Sequence, residues 1–464
     1  MNSIRLRYAS IVGVLLVAIV GFIAQFGYAQ SQPAAIAQTP QPTSTLFENV
    51  RIFNGTAEQL SAPSNVLVVN NKIEKISTGA IPAPSGASLT RIKGNGRVLM
   101  PGLIDAHTHL YWESIPIETL VSPNTTVETL DRAAEVTVKN MLLRGFTTAR
   151  DMAGPVFKVK KEIDAGKLVG PRIYPSGAMI SQTSGHGDFR TLSELPRTPT
   201  TPRNRSELLG ATAIADGVDE VLRATREQLM KGASQIKLAA GGGVASSFDP
   251  LDVSQYTESE LRAAVEAAAS WNTYVGVHAY TPTAMQLAIR AGVKAIEHGH
   301  LMDETTAKLM ADKGIWLVMQ PFLDDEDAIP VLPSSRGKQL QLFQGTDATY
   351  KLAKKYNIKT AWSTDTQFEP KLAPRQGAQL AKMVRWYTPA QVLKMATSAN
   401  GELLAMSGPR NPYPGKLGVV QEGALADLLL VNGDPLTNIK LIENPGKNFS
   451  VIMKDGKIYK NLRS

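Results

Sequence analysis

The sequence predicts an α/β protein, a (β/α)8 TIM barrel joined to a small β-sandwich domain built from both the N- and C-terminal segments. Three observations carry this expectation. From Val98 onward, short apolar runs rich in β-branched residues alternate with amphipathic stretches, and eight such units close into a barrel. A turn-rich, strand-like texture precedes that region and returns after it, and neither stretch is long enough for a sheet core of its own. All six histidines lie between positions 107 and 300, five of them at the ends of apolar runs and one in a Gly-flanked loop. A barrel enzyme keeps its chemistry at such strand ends and loops.

Residues 1–29 read as a signal peptide. Arg5 and Arg7 form a basic start, 11–24 form an apolar core, and Gly27-Tyr28-Ala29 places small residues where a signal peptidase cuts. No Arg-Arg pair precedes the core, so the expected route is Sec-type export to the periplasm or the medium. An uncleaved N-terminal membrane anchor is the alternative; after cleavage no stable membrane insertion is expected. Residues 30–45, rich in Ala, Gln, Pro and Thr, read as a disordered spacer.

The expected sandwich takes 46–98 and 406–464, with runs such as Val66-Leu67-Val68-Val69 in the first part and Leu428-Leu429-Leu430-Val431 in the second. Between them, 99–405 is the expected barrel. Its strands are predicted at 98–106, 146–150, 172–180, 235–239, 274–278, 295–297, 316–320 and 359–363. Helix starts are marked by Thr257 with Glu260, a capping box, and by Thr388, Pro389 and Gln391. A doubly wound sheet would need a Gly-rich dinucleotide turn after an early strand, and none is present. The polar, Arg-rich stretch 188–205 reads as a lid or substrate loop, or as disorder; its Arg190, Arg197, Arg203 and Arg205 are candidates for a substrate carboxylate.

Composition narrows the chemistry. The chain has no cysteine, which excludes disulfides and thiolate metal sites and leaves His, Lys, Asp and Glu as ligands. Its net charge of +8 falls to +6 without Arg5 and Arg7, and the basic residues are dispersed, so no nucleic-acid footprint is expected. The expected partner is a small molecule, and a homo-oligomer stays open.

His107 and His109, two apart on a strand, share a face and can grip one ion from a rigid edge. Lys237 lies inside a predicted barrel strand, where low dielectric favours the neutral amine, which reacts with carbon dioxide to give a carbamate. His278, His298 and Asp365 end strands five, six and eight. Tyr280 is placed to donate to an oxyanion, His186 to touch substrate, and His300 reads as structural. Glu297 reads as an internal ion pair or the orienter of a neighbour, and Gly241-Gly242-Gly243 as tight backbone near Lys237.

With Asp105-Ala106-His107-Thr108-His109, Lys237, His278-Ala279-Tyr280, Glu297-His298-Gly299-His300 and Ser363-Thr364-Asp365 in this order, the chain resembles the amidohydrolase superfamily from about Leu46 to its end. Gln182-Thr183-Ser184-Gly185-His186-Gly187-Asp188 adds a resemblance to the imidazolonepropionase and Xaa-Pro dipeptidase-like group. The resemblance implies two divalent metals, one on His107, His109 and Asp365 and the other on His278 and His298, bridged by carboxylated Lys237 and a hydroxide. Zinc suits an all-N/O site with an open position, and manganese, cobalt or iron are alternatives. The activity expected is hydrolysis of an amide or peptide-like C–N bond in a dipeptide or N-acyl amino acid, with Asp365 as proton shuttle. Ring opening of a cyclic amide or imidazolone is the rival enzymatic reading, and a metal-binding scaffold without turnover the non-enzymatic one.

Overall fold

The computed structural model describes residues 43–84, 88–194, 198 and 200–462. The expected signal peptide and all of the spacer before Thr43 lie outside them. The first strand, β1 (Thr43–Ile52), starts inside the expected spacer because it has partners: β2 (Ser64–Val69) antiparallel on one side and β4 (Ser88–Lys93) parallel on the other. Its register shifts between Phe47 and Val50, where Asn49 takes a φ of 54°. Such an irregularity bends a strand, and beyond it Arg51 and Ile52 pair with β5 (Val98–Pro101).

β3 (Lys72–Ser77) extends one edge from β2. On the other side, β16 (Leu428–Val431) pairs antiparallel with β5, followed by β17 (Phe449–Lys454) and β18 (Lys457–Asn461). Phe47, Val66, Val68 and Ile73 from the front of the chain thus share a core with Leu428, Leu430, Val451 and Met453 from its end. Alternate strand residues face this core, and the two segments together bury what neither could alone.

The expected first barrel strand, 98–106, is two strands. β5 belongs to the sandwich, and β6 (Leu103–Thr108) opens the barrel. The chain crosses at Gly102, where a Cβ would sit 2.1 Å from Thr147 Oγ1. The barrel continues through β7 (Phe146–Asp151) and β8 (Arg172–Pro175), with β9 (Met179–Ser181) carrying on the third strand after a break at Ser176-Gly177-Ala178. The expected strand 172–180 is therefore also divided; Gly177, at a φ of 74°, makes the turn. The short β10 (Thr212–Ile214) flanks β9. Then β11 (Ile236–Ala239), β12 (Val275–Ala279), β13 (Ala295–His298), β14 (Trp316–Met319) and β15 (Thr360–Trp362) follow in parallel.

Closure between β15 and β6 rests on the Asp365 N–H donating to the His107 carbonyl at 3.0 Å. Asn400 Nδ2 adds bonds to the carbonyls of Ile104 and Trp362, at 2.7 and 2.8 Å. The capping boxes at Thr257/Glu260 and Thr388/Gln391 form as read, starting helices Glu258–Ser270 and Pro389–Lys394. Arg172 of β8 ties the two domains together through Asp427 at 2.9 Å and Asp455 at 2.6 Å. No helix among the described residues is long and apolar enough to cross a membrane.

Candidate metal centre

Strand ends deliver the polar side chains to one mouth of the barrel. His107 is on β6 and His109 one residue past its end; Lys237, His278 and His298 come from β11, β12 and β13, and Asp365 follows β15. All six are buried. Asp365 Oδ1 lies 3.0 Å from His109 Nε2 and 3.5 Å from His107 Nε2, and Asp365 Oδ2 lies 3.8 Å from His298 Nδ1. Lys237 Nζ is 3.3 Å from His107 Nε2. The His278 ring is 4.6 Å from that of His298, centroid to centroid. Among the described residues, one potential ligand atom each from His107, His298 and Asp365 lies within 4.8 Å of the others. His298 and Asp365 hold left-handed backbone, with φ of 79° and 52°. Non-glycine residues persist there only when surrounding structure holds them.

The outer edges of the rings are occupied. His107 Nδ1 meets Glu297 Oε2 at 2.8 Å, and His298 Nδ1 meets Gln320 Oε1 at 2.9 Å. His278 Nε2 faces the Gly242 carbonyl at 3.1 Å. Each contact leaves the second nitrogen of its ring for another partner and sets the ring's tautomer, as metal-binding histidines require. Glu297 in turn pairs with Arg150 at 2.7 Å, and Arg150 also donates to the Ala106 carbonyl and to Tyr274. Asp105 accepts from the N–H groups of His107 and Thr364, the Thr364 hydroxyl and Gln376, so it joins the backbones that carry His107 and Asp365.

Burial shapes the electrostatics. It holds His107, His278 and His298 well below the ordinary imidazole range, with the neighbouring Lys237 adding to the effect. Those rings are neutral at pH 7. Burial also lowers Lys237 to about 8, against the pull of Glu297 and Asp365, so roughly a tenth of the amine is neutral at pH 7 and half at pH 8. Neutral imidazoles, a carboxylate and a deprotonable lysine converging on one buried point fit a divalent cation of borderline softness.

Of the other expected residues, Tyr280 is buried edge-on to His278 at 4.7 Å and lines the mouth. His186 stacks on His278 at 3.9 Å. His300 binds the Gln320 carbonyl at 3.0 Å and stacks on Phe322, away from the ligand cluster, as a structural residue does. Glu297 orients His107, and the triple glycine is tight: a Cβ on Gly242 would lie 1.7 Å from the Pro250 carbonyl oxygen. The arginines of 188–205 divide. Arg190 pairs with Asp188 at 2.6 Å, Arg205 donates to the carbonyls of Ser122, Pro123 and Thr125, Arg203 is exposed, and Arg197 lies outside the described residues. Arg150 and Gln320 were not singled out from sequence, and Asp105 only as the first residue of the motif Asp105-Ala106-His107-Thr108-His109. Arg150 and Gln320 end apolar runs as His278 does, and that shared signal could have found them.

Above the cluster opens a cavity of about 910 Å³. Trp112, Met179, Phe189, Phe322, Leu342 and Phe368 contribute to a mostly apolar wall, with Asp365, Tyr280 and His186 at its polar end.

Comparison with known proteins agrees with this geometry. The family model described as "Amidohydrolase family" matches residues 98–459. Ochratoxinase of Aspergillus niger is 33% identical over 451 residues, covering 93% of this chain and 90% of the relative. A solved prolidase in complex with N-methylphosphonate-L-proline superimposes with a TM-score of 0.81 at 30% identity, covering 90% of this chain and 100% of that one. A Xaa-Pro dipeptidase with methionine in its active site gives a TM-score of 0.76 at 27% identity, with coverages of 90% and 100%. With its barrel, split sandwich and buried ligand cluster, this chain belongs to the amidohydrolase family, in its dipeptidase-like group, and is a metal-dependent hydrolase of carbon–nitrogen bonds.

Proposed function

We propose that the protein holds two divalent metals and hydrolyses the amide or peptide-like bond of a dipeptide or N-acyl amino acid. The observation that carries this reading is the meeting of Lys237 with His107, 3.3 Å apart, in a buried site that lowers the amine to about 8. Once the Lys237 ammonium has lost a proton, the neutral amine takes up carbon dioxide as a carbamate and releases a second one, turning a cation into an anionic ligand. His107, His109 and Asp365 would hold one metal and His278 and His298 the other, with the Lys237 carbamate between them. Zinc is the first choice for these donors. Bound there, divalent ions would polarise the scissile carbonyl and lower the pKa of a water.

The chain's own groups do the rest. Asp365 accepts the proton of the attacking water and passes it to the leaving nitrogen. Tyr280 donates to the carbonyl oxygen as it gains charge, and His186 contacts the substrate beside it. The apolar wall displaces water and accommodates a bulky side group next to the scissile bond, which supports an N-acyl or dipeptide substrate with a large apolar residue. Cyclic amide or imidazolone hydrolysis is the second reading; a relative, imidazolonepropionase of Ectopseudomonas mendocina, is 23% identical over 414 residues.

Turnover of dipeptides and N-acyl amino acids against lactams and imidazolones, with metal content measured on the same sample, tests the proposal. Fewer than about one ion per chain, with no rate gain from zinc or manganese, overturns the two-metal reading. We further propose export, supported by the basic start and apolar core of 1–29. Fractionation followed by sequencing of the mature N-terminus tests it: a start at Gln30 is expected in the exported fraction, an intact Met1 there would mean an uncleaved anchor, and recovery in the cytosol alone would overturn export.

A further inference from the structure

His186 reaches the metal centre from a loop, yet its ring is held as firmly as those on strands. Its main-chain N–H donates to Gln255 Oε1 at 2.8 Å, and its Nδ1 meets Ser246 Oγ at 2.7 Å. Gln255 Nε2 closes the circuit on Asp249 Oδ2 at 3.1 Å, which also accepts the Gly243 N–H at 2.7 Å. The ring occupies the space a side chain on Gly243 would need, since a Cβ there would lie 1.8 Å from its Nδ1. The other nitrogen, Nε2, makes no hydrogen bond among the described residues, and the ring lines the cavity. The loop 243–249 thus serves as a socket for one histidine.

The socket is closed from outside by one cation. Lys338, on the long helix Pro333–Lys355, donates to the carbonyls of Gly243, Ser246 and Asp249 at 2.6, 2.7 and 3.3 Å. Lys338 has no hydrogen bond or ion pair to a carboxylate among the described residues. An ammonium has three donors, and here all three are used on one loop's backbone. The helix that carries it also lines the cavity, through Gln339, Leu342 and Phe343. The same contacts link the substrate wall, the glycine-rich loop and His186.

We propose that Ser246 and Lys338 are positioning residues that hold the His186 ring over His278 with Nε2 turned to the substrate. Neither touches the ligand cluster, so their loss disturbs His186 and spares metal binding. The inference rests on the reading of the site as an amide hydrolase in which His186 contacts substrate. A misplaced contact group of this kind costs about ten- to hundredfold in activity.

The experiment uses the full-length protein as purified, with Ser246→Ala, Lys338→Met, His186→Asn and the Ser246→Ala/His186→Asn double variant. Ser246→Ala and Lys338→Met are expected to lower kcat/KM by about tenfold or more, with metal content at the wild-type level. The double variant is expected to be no worse than His186→Asn alone, because Ser246 acts only through His186. With ¹⁵N-histidine labelling, the ring signals lost in His186→Asn should move in Ser246→Ala, and those of the stacked His278 with them, while His107, His109, His298 and His300 hold. Wild-type kcat/KM in Ser246→Ala, losses that add in the double variant, or unmoved His186 signals would each overturn the proposal. Should Lys338→Met fail to fold, Ser246→Ala carries the test. If the wild type turns over no amide while the His186 signals still move, the socket stands and the functional reading falls.

Discussion

Arg150 is fully buried inside the barrel, and replacing it with Met would expose what its charge does. Its guanidinium meets both Glu297 oxygens at 2.7 Å, the Ala106 carbonyl at 2.6 Å and the Tyr274 hydroxyl at 3.0 Å. In Arg150→Met the Glu297 carboxylate stays in the dry interior with His107 Nδ1 as its remaining partner among the described residues. Removing one partner of a buried ion pair costs about 3–5 kcal/mol, mostly the desolvation of the charge left behind. An unfolding entropy of about 2.1 cal/mol/K per residue over the roughly 410 described residues gives roughly 0.9 kcal/mol/K, so Tm should fall by about 3–6 °C. The measurement belongs on metal-stripped protein, by calorimetry, because bound metal would add its own stabilisation. Adding Glu297→Gln removes the stranded charge and should recover about half of the loss. A single variant within about 1 °C of wild type, or a double variant no better than the single, would show that the pair is not the buried, mutually dependent unit described above.

Other predictions concern the centre itself. Asp365→Asn should keep most of its metal and lose turnover by about 10²–10⁴-fold, and retained activity would remove Asp365 from the proton path. Lys237 has a folded-state value of about 8 against an ordinary 10.5, so the folded protein favours the neutral amine. Its burial cost to metal-free protein is therefore present below pH 8 and is relieved as pH rises from 8 towards 10.5. Reactivation of stripped protein by zinc at a fixed concentration of dissolved carbon dioxide should accelerate roughly fivefold from pH 7 to 8, as the neutral fraction grows, and a flat profile would argue against carboxylation. Gly243→Ala should push the His186 ring aside and lower kcat/KM at unchanged metal content, whereas wild-type kinetics would mean that the ring's seat is not needed.

Much of the site was legible in the sequence because its ligands obey a local rule. A polar residue that ends an apolar, β-branched run is carried by its strand to the mouth of a barrel. His107, His278, His298 and Asp365 follow it, whereas Lys237 stands inside its strand, second of the residues of β11. Strand boundaries were less legible. The run 98–106 is continuous in hydrophobicity, and only the packing of Thr147 against Gly102 shows where sandwich gives way to barrel. Likewise 172–180 reads as one strand until Gly177 turns it.

The sequence by itself determined the fold class, the split sandwich and which polar side chains lie along or just beyond the barrel strands, since periodicity and strand-end residues are properties of neighbours in the chain. Only the tertiary structure decided what surrounds those side chains. Glu297 is 190 positions from the His107 it orients, Asp105 is 259 from Thr364, and Lys338 is 95 from the Gly243 carbonyl it binds. Such pairs exist because the closed barrel brings distant strand ends and loops to one face, where burial makes every polar group depend on the partner placed beside it.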